Sequence, residues 1–189
     1  ILLLMVLAAV LAPVLAGYDP QQTSSASLMS PSWSHWLGTD HVGQDIWSRL
    51  LFGARTSLMV GFGVGILATF LSTIFGVSAA LIGGLYDRVV MRIVDAFIVI
   101  PMVIIVILVA AYFKPSLLFL VLLLSLLSWQ GGARIVRAQA LSLKERGHIV
   151  AARAFGANRL YIAWHHIVPD LGPILLVDFI YGVRRAIFM

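Results

Sequence analysis

The chain of 189 residues carries 13 Lys and Arg against 8 Asp and Glu, yet only 11% of it is charged and 61% is hydrophobic. A mean hydropathy of +1.01, with less than half the roughly 25% charged residues of a soluble domain, excludes a water-soluble globule and predicts an integral membrane protein. No cysteine is present, which excludes disulfides, thiolate metal sites and a cysteine nucleophile; the net charge of +5 reads as membrane topology, because the basic residues gather in two loops.

Residues 1–16, ILLLMVLAAVLAPVLA, are uncharged but shorter than the roughly 20 residues a span needs, so they predict part of a first transmembrane helix, with Pro13 tolerable near its end. The chain begins inside this run and stops inside another, so it is expected to be truncated at both ends. A cleavable signal peptide is a poor reading of Ile1 onward, for want of a basic leader.

Residues 17–57 are polar and turn-rich, with Asp19-Pro20, Gln21 to Ser27 and Ser30-Pro31 marking irregular structure. Trp33, Trp36 and Trp47 are spaced as interface anchors, and Asp19, Asp40 and Asp45 roughly balance Arg49 and Arg55, which predicts an extracytoplasmic loop. Asp40 and Asp45 are expected to cap and order it, and could also meet a partner protein.

Thr56 to Tyr86 is uncharged and long enough for one tilted span. Ala68, Ser72, Gly76, Ala80 and Gly84 recur every fourth position, and Gly61 and Gly65 add a second such pair. Residues four apart share a helix face, and small side chains there admit a neighbouring helix, so these five are the candidate helix-packing residues. The Gly61 to Gly65 run superficially resembles a phosphate-cradling loop, but it lies in a membrane segment with no preceding strand.

Residues 86–95, with Asp87, form a short basic turn in which Arg88 and Arg92 are four apart and Asp95 lies three beyond Arg92, so local pairing along a helix end is expected. A third span covers 96–113 with Pro101 inside it, Lys114-Pro115 makes a short outer turn, and a fourth span covers 116–133, loosened by Gly131-Gly132. Then comes the one long basic stretch, 134–169, with Arg134, Arg137, Lys144, Arg146, Arg153 and Arg159 against a single acid, Glu145. A fifth apolar run occupies 171–189; Pro169 suits a first helical turn and Asp170 its positive dipole end. Eight of the 13 basic residues fall in the 86–95 and 134–169 loops, which places both loops in the cytoplasm, and with them the N-terminus. The predicted architecture is an all-α polytopic helical bundle, one transmembrane domain over 1–189, with an extracytoplasmic loop at 17–57 and a cytoplasmic loop at 134–169.

The 134–169 loop resembles the cytoplasmic coupling loop of ABC importer permeases, whose motif is Glu-Ala-Ala, three residues, Gly, nine residues and Ile-x-Leu-Pro. Here Val150-Ala151-Ala152-Arg153-Ala154-Phe155-Gly156 is followed at the same spacing by His166-Ile167-Val168-Pro169. Independently, Leu37-Gly38-Thr39-Asp40 through Gly43-Gln44-Asp45 to Leu58 resembles the outer-loop signature of the dipeptide/oligopeptide/nickel group, in its second, C-type subunit. Val150 stands where the motif has Glu, and Gln44 where the signature usually has Arg. The resemblance implies six helices, of which five are visible here.

It also implies a permease subunit of an ATP-driven importer in a prokaryotic cytoplasmic (inner) membrane, forming half of a pathway for peptides or related small solutes. The implied partners are a homologous second permease, two cytoplasmic ATP-binding subunits and an extracytoplasmic substrate-binding protein, with membrane lipid around them. The chain would not itself be an enzyme: ATP and Mg belong to the partner ATPases, and no GxxxxGK[ST] motif is present. A helix over 148–160 would dock on the ATPase through Val150, Ala151, Ala152, Arg153, Phe155, Gly156 and Arg159, with Phe155 as the apolar knob. An ordinary amphipathic surface helix is the bland reading of this segment.

Asp178, Arg184 and Arg185 interrupt the fifth apolar run, where charge is costly, and are the candidate translocation-pathway residues; snorkelling of the arginines is the alternative. His35, His41, His165 and His166 are read as solvated or interfacial, with no metal site and no cofactor in the chain. An ATP-independent secondary transporter or channel is the alternative function, with Asp178 its only support. An intramembrane protease would need paired acids such as Asp95 and Asp178, yet Asp95 sits at a basic edge.

Overall fold

A computed structural model describes residues 2–113 and 116–188, so the Lys114-Pro115 turn lies outside the described residues. Among them the chain is helical apart from turns and one isolated antiparallel bridge, Thr39–Asp45. It forms two compact units, residues 1–59 and 60–189.

The first unit holds α1 (Leu2–Val10), the single turn α2 (Ala12–Leu15), an irregular loop and the first turns of α3 (Ile46–Ile82). Neither α1 nor α2 reaches the length of a span. The loop is tied by its own polar groups. Thr39 Oγ1 accepts from the Met29 N–H at 2.9 Å and donates to the Ala26 carbonyl at 2.5 Å. Gly38 (φ +77°) and Gly43 (φ +75°) lie against the Met29 and Ser24 carbonyls, where a Cβ would collide as well as strain the backbone. Asp45 Oδ2 accepts from the Ser48 N–H at 2.8 Å, an N-cap that starts α3 at Ile46, well inside the stretch read as loop.

At 37 residues α3 is by itself long and apolar enough to cross a membrane; at 1.5 Å per residue it runs roughly 55 Å and outlasts a hydrocarbon core of about 30 Å. Gly83 (φ +69°) and Gly84 (φ +60°) end it in left-handed geometry. Gly84 therefore leaves the four-residue stripe: it starts α4 (Gly84–Val99), and a Cβ on it would meet open space. Ala68, Ser72, Gly76 and Ala80 stay on α3 and are buried.

Three further helix pairs pass the span test only as bent units. The helix α4 meets α5 (Met102–Tyr112) at 69°, where Pro101 lacks the N–H to continue the ladder. The helix α6 (Leu117–Leu126) meets α7 (Gln130–Leu143) at 47°. That break falls at Leu127–Trp129, not at the glycine pair, which lies inside α7; Ser125, Ser128 and Gln130 side chains donate to the Val121, Leu124 and Leu126 carbonyls around it. The last pair joins the turn α9 (Arg159–Ile162), a π-helical turn (Ala163–Ile167) and the turn α10 (Val168–Asp170) to α11 (Gly172–Ile187) at 71°. One to four spans follow from length and composition.

The acids of α4 do not pair with Arg88 and Arg92 of their own helix. Asp87 takes Nε and Nη2 of Arg137, and Asp95 takes Arg134, so both acids stitch α4 to α7. The two-pronged Arg137 contact fixes orientation as well as charge.

Candidate functional site

The basic loop folds as one short lever. The helix α8 (Gly147–Ala154) follows an extended Arg146 and ends in a complete Schellman motif. The Gly156 N–H donates to the Arg153 carbonyl and the Ala157 N–H to the Ala152 carbonyl, each at 3.0 Å, around Gly156 at φ +89°. Asn158 then caps α9, accepting from the Tyr161 N–H at 2.7 Å. The glycine of the coupling motif is thus the one residue that reverses the chain without strain.

The lever is held from one side. Ile149 is fully buried, in a cluster with Val77, Ala80, Val136, Ala140, Leu143, Ile162, Ile167 and Leu171. That cluster draws on α3, α7, α8 and the segment leading into α11. The opposite face is free: Val150, Ala151, Arg153 and Gly156 are exposed, Ala152 is half-buried, and Phe155 is 91% exposed. Arg159 stands apart, lining a different groove with residues of α3. Asp170 ties the base of the lever to α10, with Arg146 Nη1 at 3.4 Å and His148 Nε2 at 3.7 Å. The two adjacent histidines meet one ring differently: His165 stacks on Tyr161 at 4.2 Å, while His166 lies edge-on to it at 5.9 Å and 5.8 Å from the His148 ring.

A second polar feature lies in the helix bundle. Ser72 is fully buried on α3, and its hydroxyl donates to Asp178 Oδ2 of α11 at 2.7 Å. Gly132 of α7 backs the same carboxylate, and a Cβ there would overlap both of its oxygens. Three helices therefore converge on one acid. Further along, Gly61 and Gly65 of α3 admit Phe179, Val183 and Ile187 of α11. Asp178 is thus joined to Ser72, whereas Arg184 lies over the Tyr181 ring at 5.2 Å; among the described residues neither Arg184 nor Arg185 makes an ion pair.

In the 17–57 loop, Asp40 accepts from the Gln44 N–H at 3.0 Å and the Val42 N–H at 2.9 Å and pairs with Arg49. The Gln44 N–H leads in holding its carboxyl below the ordinary range, against desolvation, with the Val42 N–H and Arg49 adding to it. Burial pushes the Asp45 carboxyl up, but the Ser48 N–H and the His35 ring, 2.9 Å away, outweigh it, and the net is a lowered pKa. Gln44 Oε1 accepts from Arg49 at 2.6 Å. These contacts cap the start of α3 and order the loop before it.

Residues 72–188 match the family of binding-protein-dependent transport system inner membrane components. The chain belongs to that family. Among its curated relatives, the oligopeptide transport system permease protein OppC of Bacillus subtilis is 33% identical over 189 residues, covering 100% of this chain and 62% of the relative. OppC of Mycobacterium tuberculosis is 36% identical over 189 residues, covering 99% and 65%. A protein named a probable D,D-dipeptide transport system permease, DdpC, of Escherichia coli is 34% identical over 190 residues, covering 100% and 64%. The chain therefore spans under two thirds of the length of each. The names DdpC and OppC agree with the C-type resemblance of the outer loop. The family match includes the lever and the Ser72–Asp178 contact, whereas residues 1–71 are covered only by the relatives.

Sequence reading misses the anchoring role of Ile149, the contact of Gly132 with Asp178 and the reach of Asp170 to Arg146 and His148. Ile149 precedes the motif and looks like any apolar residue in a surface helix. Gly132 reads only as a loosening point and Asp170 only as a helix-dipole acid, because neither contact has a local trace.

Proposed function

We propose that this chain is the permease subunit of an ATP-driven importer, forming half of the translocation pathway, with α8 docking on a cytoplasmic ATP-binding subunit. The observation that carries the reading is the division of labour in α8: Ile149 is locked in the bundle while Phe155 projects 91% exposed from the free face. A push on Phe155 cannot be absorbed by the lever alone, because Ile149 packs on both α3 and the run into α11. Docking is assigned to Val150, Ala151, Ala152, Arg153, Phe155 and Gly156; Arg159, expected with them, is left out of the set because it lines the groove beside α3. Val150 in place of an acid makes this surface more apolar at its start.

The working assembly is this chain with a homologous second permease, two ATP-binding subunits that carry ATP and Mg, and an extracytoplasmic substrate-binding protein. The proposed topology is multi-pass, with the N-terminus and residues 134–169 cytoplasmic, residues 17–57 outside, and five of six spans within these residues. The relatives named for peptide transport support a peptide cargo over nickel. Asp178, Arg184 and Arg185 are assigned to the pathway; Asp178 reaches it only when movement of α11 against α3 breaks the Ser72 contact, as rigid-body rocking would.

The test is Phe155→Asp in the assembled complex. The variant is expected at wild-type level in the membrane fraction but without co-purifying ATP-binding subunits. Recovery of those subunits at wild-type yield would overturn the docking assignment.

A further inference from the structure

We infer that a groove between the C-terminal half of α3 and the α9 to α10 segment binds an acyl chain of an anionic phospholipid, with Arg159 holding the headgroup phosphate. The groove has a volume of about 430 Å³. Phe70, Ile74 and Leu81 form one wall, and Leu160, Ala163 and Trp164 the other. Its two α3 hydroxyls are already partnered: Thr73 donates to the Thr69 carbonyl at 2.7 Å, and Ser78 lies 3.3 Å from the Phe75 carbonyl and 3.0 Å from the Tyr86 hydroxyl. The walls are otherwise mostly apolar.

Length fits the occupant. Phe70 to Ile82 of the lining rises roughly 18 Å along α3, close to the half-thickness of a hydrocarbon core of about 30 Å that one acyl chain spans. Charge selects the headgroup. Arg159 is the charged residue of the lining, and among the described residues no carboxylate lies within ion-pair distance of it. An unpaired guanidinium at the end of an apolar slot matches an anionic phosphate, and basic pockets on the cytoplasmic side of helix bundles hold anionic lipids in this way. Which leaflet supplies the lipid rests on the topology proposed above; the groove and its charge do not.

The test uses the full-length chain in its complex, equilibrated with vesicles of equal parts phosphatidylglycerol and phosphatidylcholine, extracted in mild detergent and weighed intact by native mass spectrometry. The wild type is expected to retain phosphatidylglycerol in preference. Ala163→Trp, or Ile74→Trp from the opposite wall, should fill the slot and remove that lipid. Arg159→Gln should keep the slot but lower the preference for phosphatidylglycerol about fivefold. Equal retention by the wild type and both Trp variants would sink the proposal, as would an unchanged lipid preference in Arg159→Gln. Competition by inorganic phosphate alone would show a free-anion site instead, and a photo-crosslinker at Trp164 that captures protein would show a subunit contact. Retention in detergent carries no sidedness. The topology is read separately, from labelling of a single cysteine at Asn158 in this cysteine-free chain.

Discussion

Between Gly17 and Asp45 the buried residues are Gly38, Thr39, Gly43 and Asp45, and the backbone is held by carboxylate, hydroxyl and carbonyl contacts within the loop. Between Lys144 and Asn158 the only buried residue is Ile149, and apart from the Asp170 contacts the loop keeps its shape through one apolar plug and a Schellman turn. The first loop distributes its stability over many polar contacts, each of modest worth. The second concentrates it in one side chain and leaves its most prominent apolar group, Phe155, in the open. A distributed scaffold resists any single change, whereas a concentrated one separates the anchoring residue from the exposed surface at the level of single residues.

Breaking the plug should have the largest effect. Ile149→Ala is expected to cost about 2–5 kcal/mol through lost burial and the cavity left behind, read as a lowered thermal midpoint of the purified subunit. Phe155→Ala should stay within about 0.5 kcal/mol, as an exposed substitution. Equal destabilisation by the two would erase the distinction between anchor and knob.

A smaller loss is expected at the three-helix junction. Gly132→Ala forces a methyl onto the Asp178 carboxylate and should cost about 1–3 kcal/mol, the usual price of overpacking. Combined with Asp178→Ala, which vacates the space, its cost should be largely relieved, a non-additivity measurable by a double-mutant cycle. Strict additivity would show that the two residues do not touch.

The smallest effect belongs to the 17–57 loop. Asp45→Ala removes one helix cap and should cost about 1 kcal/mol, seen as faster hydrogen exchange in residues 17–48 with no change in 144–158. The Asp45 carboxyl is lowered in the folded chain, so its contribution is complete above the ordinary carboxylate value of about 3.9 and is lost as pH falls through the lower folded value. Tryptophan emission from Trp36 and Trp47 should therefore show an acid transition below about 4, and Asp45→Asn should shrink that transition, with Asp40 accounting for the remainder.

Part of the basic loop is legible in the sequence. The alanine run specifies a short helix, but the expected helix over 148–160 is split: α8 ends at Ala154, Gly156 turns left-handed and Asn158 restarts the chain as α9. Hydropathy places the start of α3 too late, because it marks where charge ends at Arg55, while the helix is set by the cap at Asp45. Periodicity carries Gly84 across a break that backbone dihedrals impose. The acids nearest to Arg88 and Arg92 in sequence face α7 instead.

Composition and spacing by themselves determined that this chain lives in a membrane, where its positive charge concentrates and which segment bears the coupling motif. Each of those follows from local chemistry: hydrocarbon length, charge density and turn geometry. Only the tertiary structure decided that Asp178 meets Ser72 across 106 residues, that Asp87 meets Arg137 across 50, and that Ile149 rather than its exposed neighbours fastens the lever. Such pairings depend on which helix faces come together, and a helical repeat names a face without naming its partner.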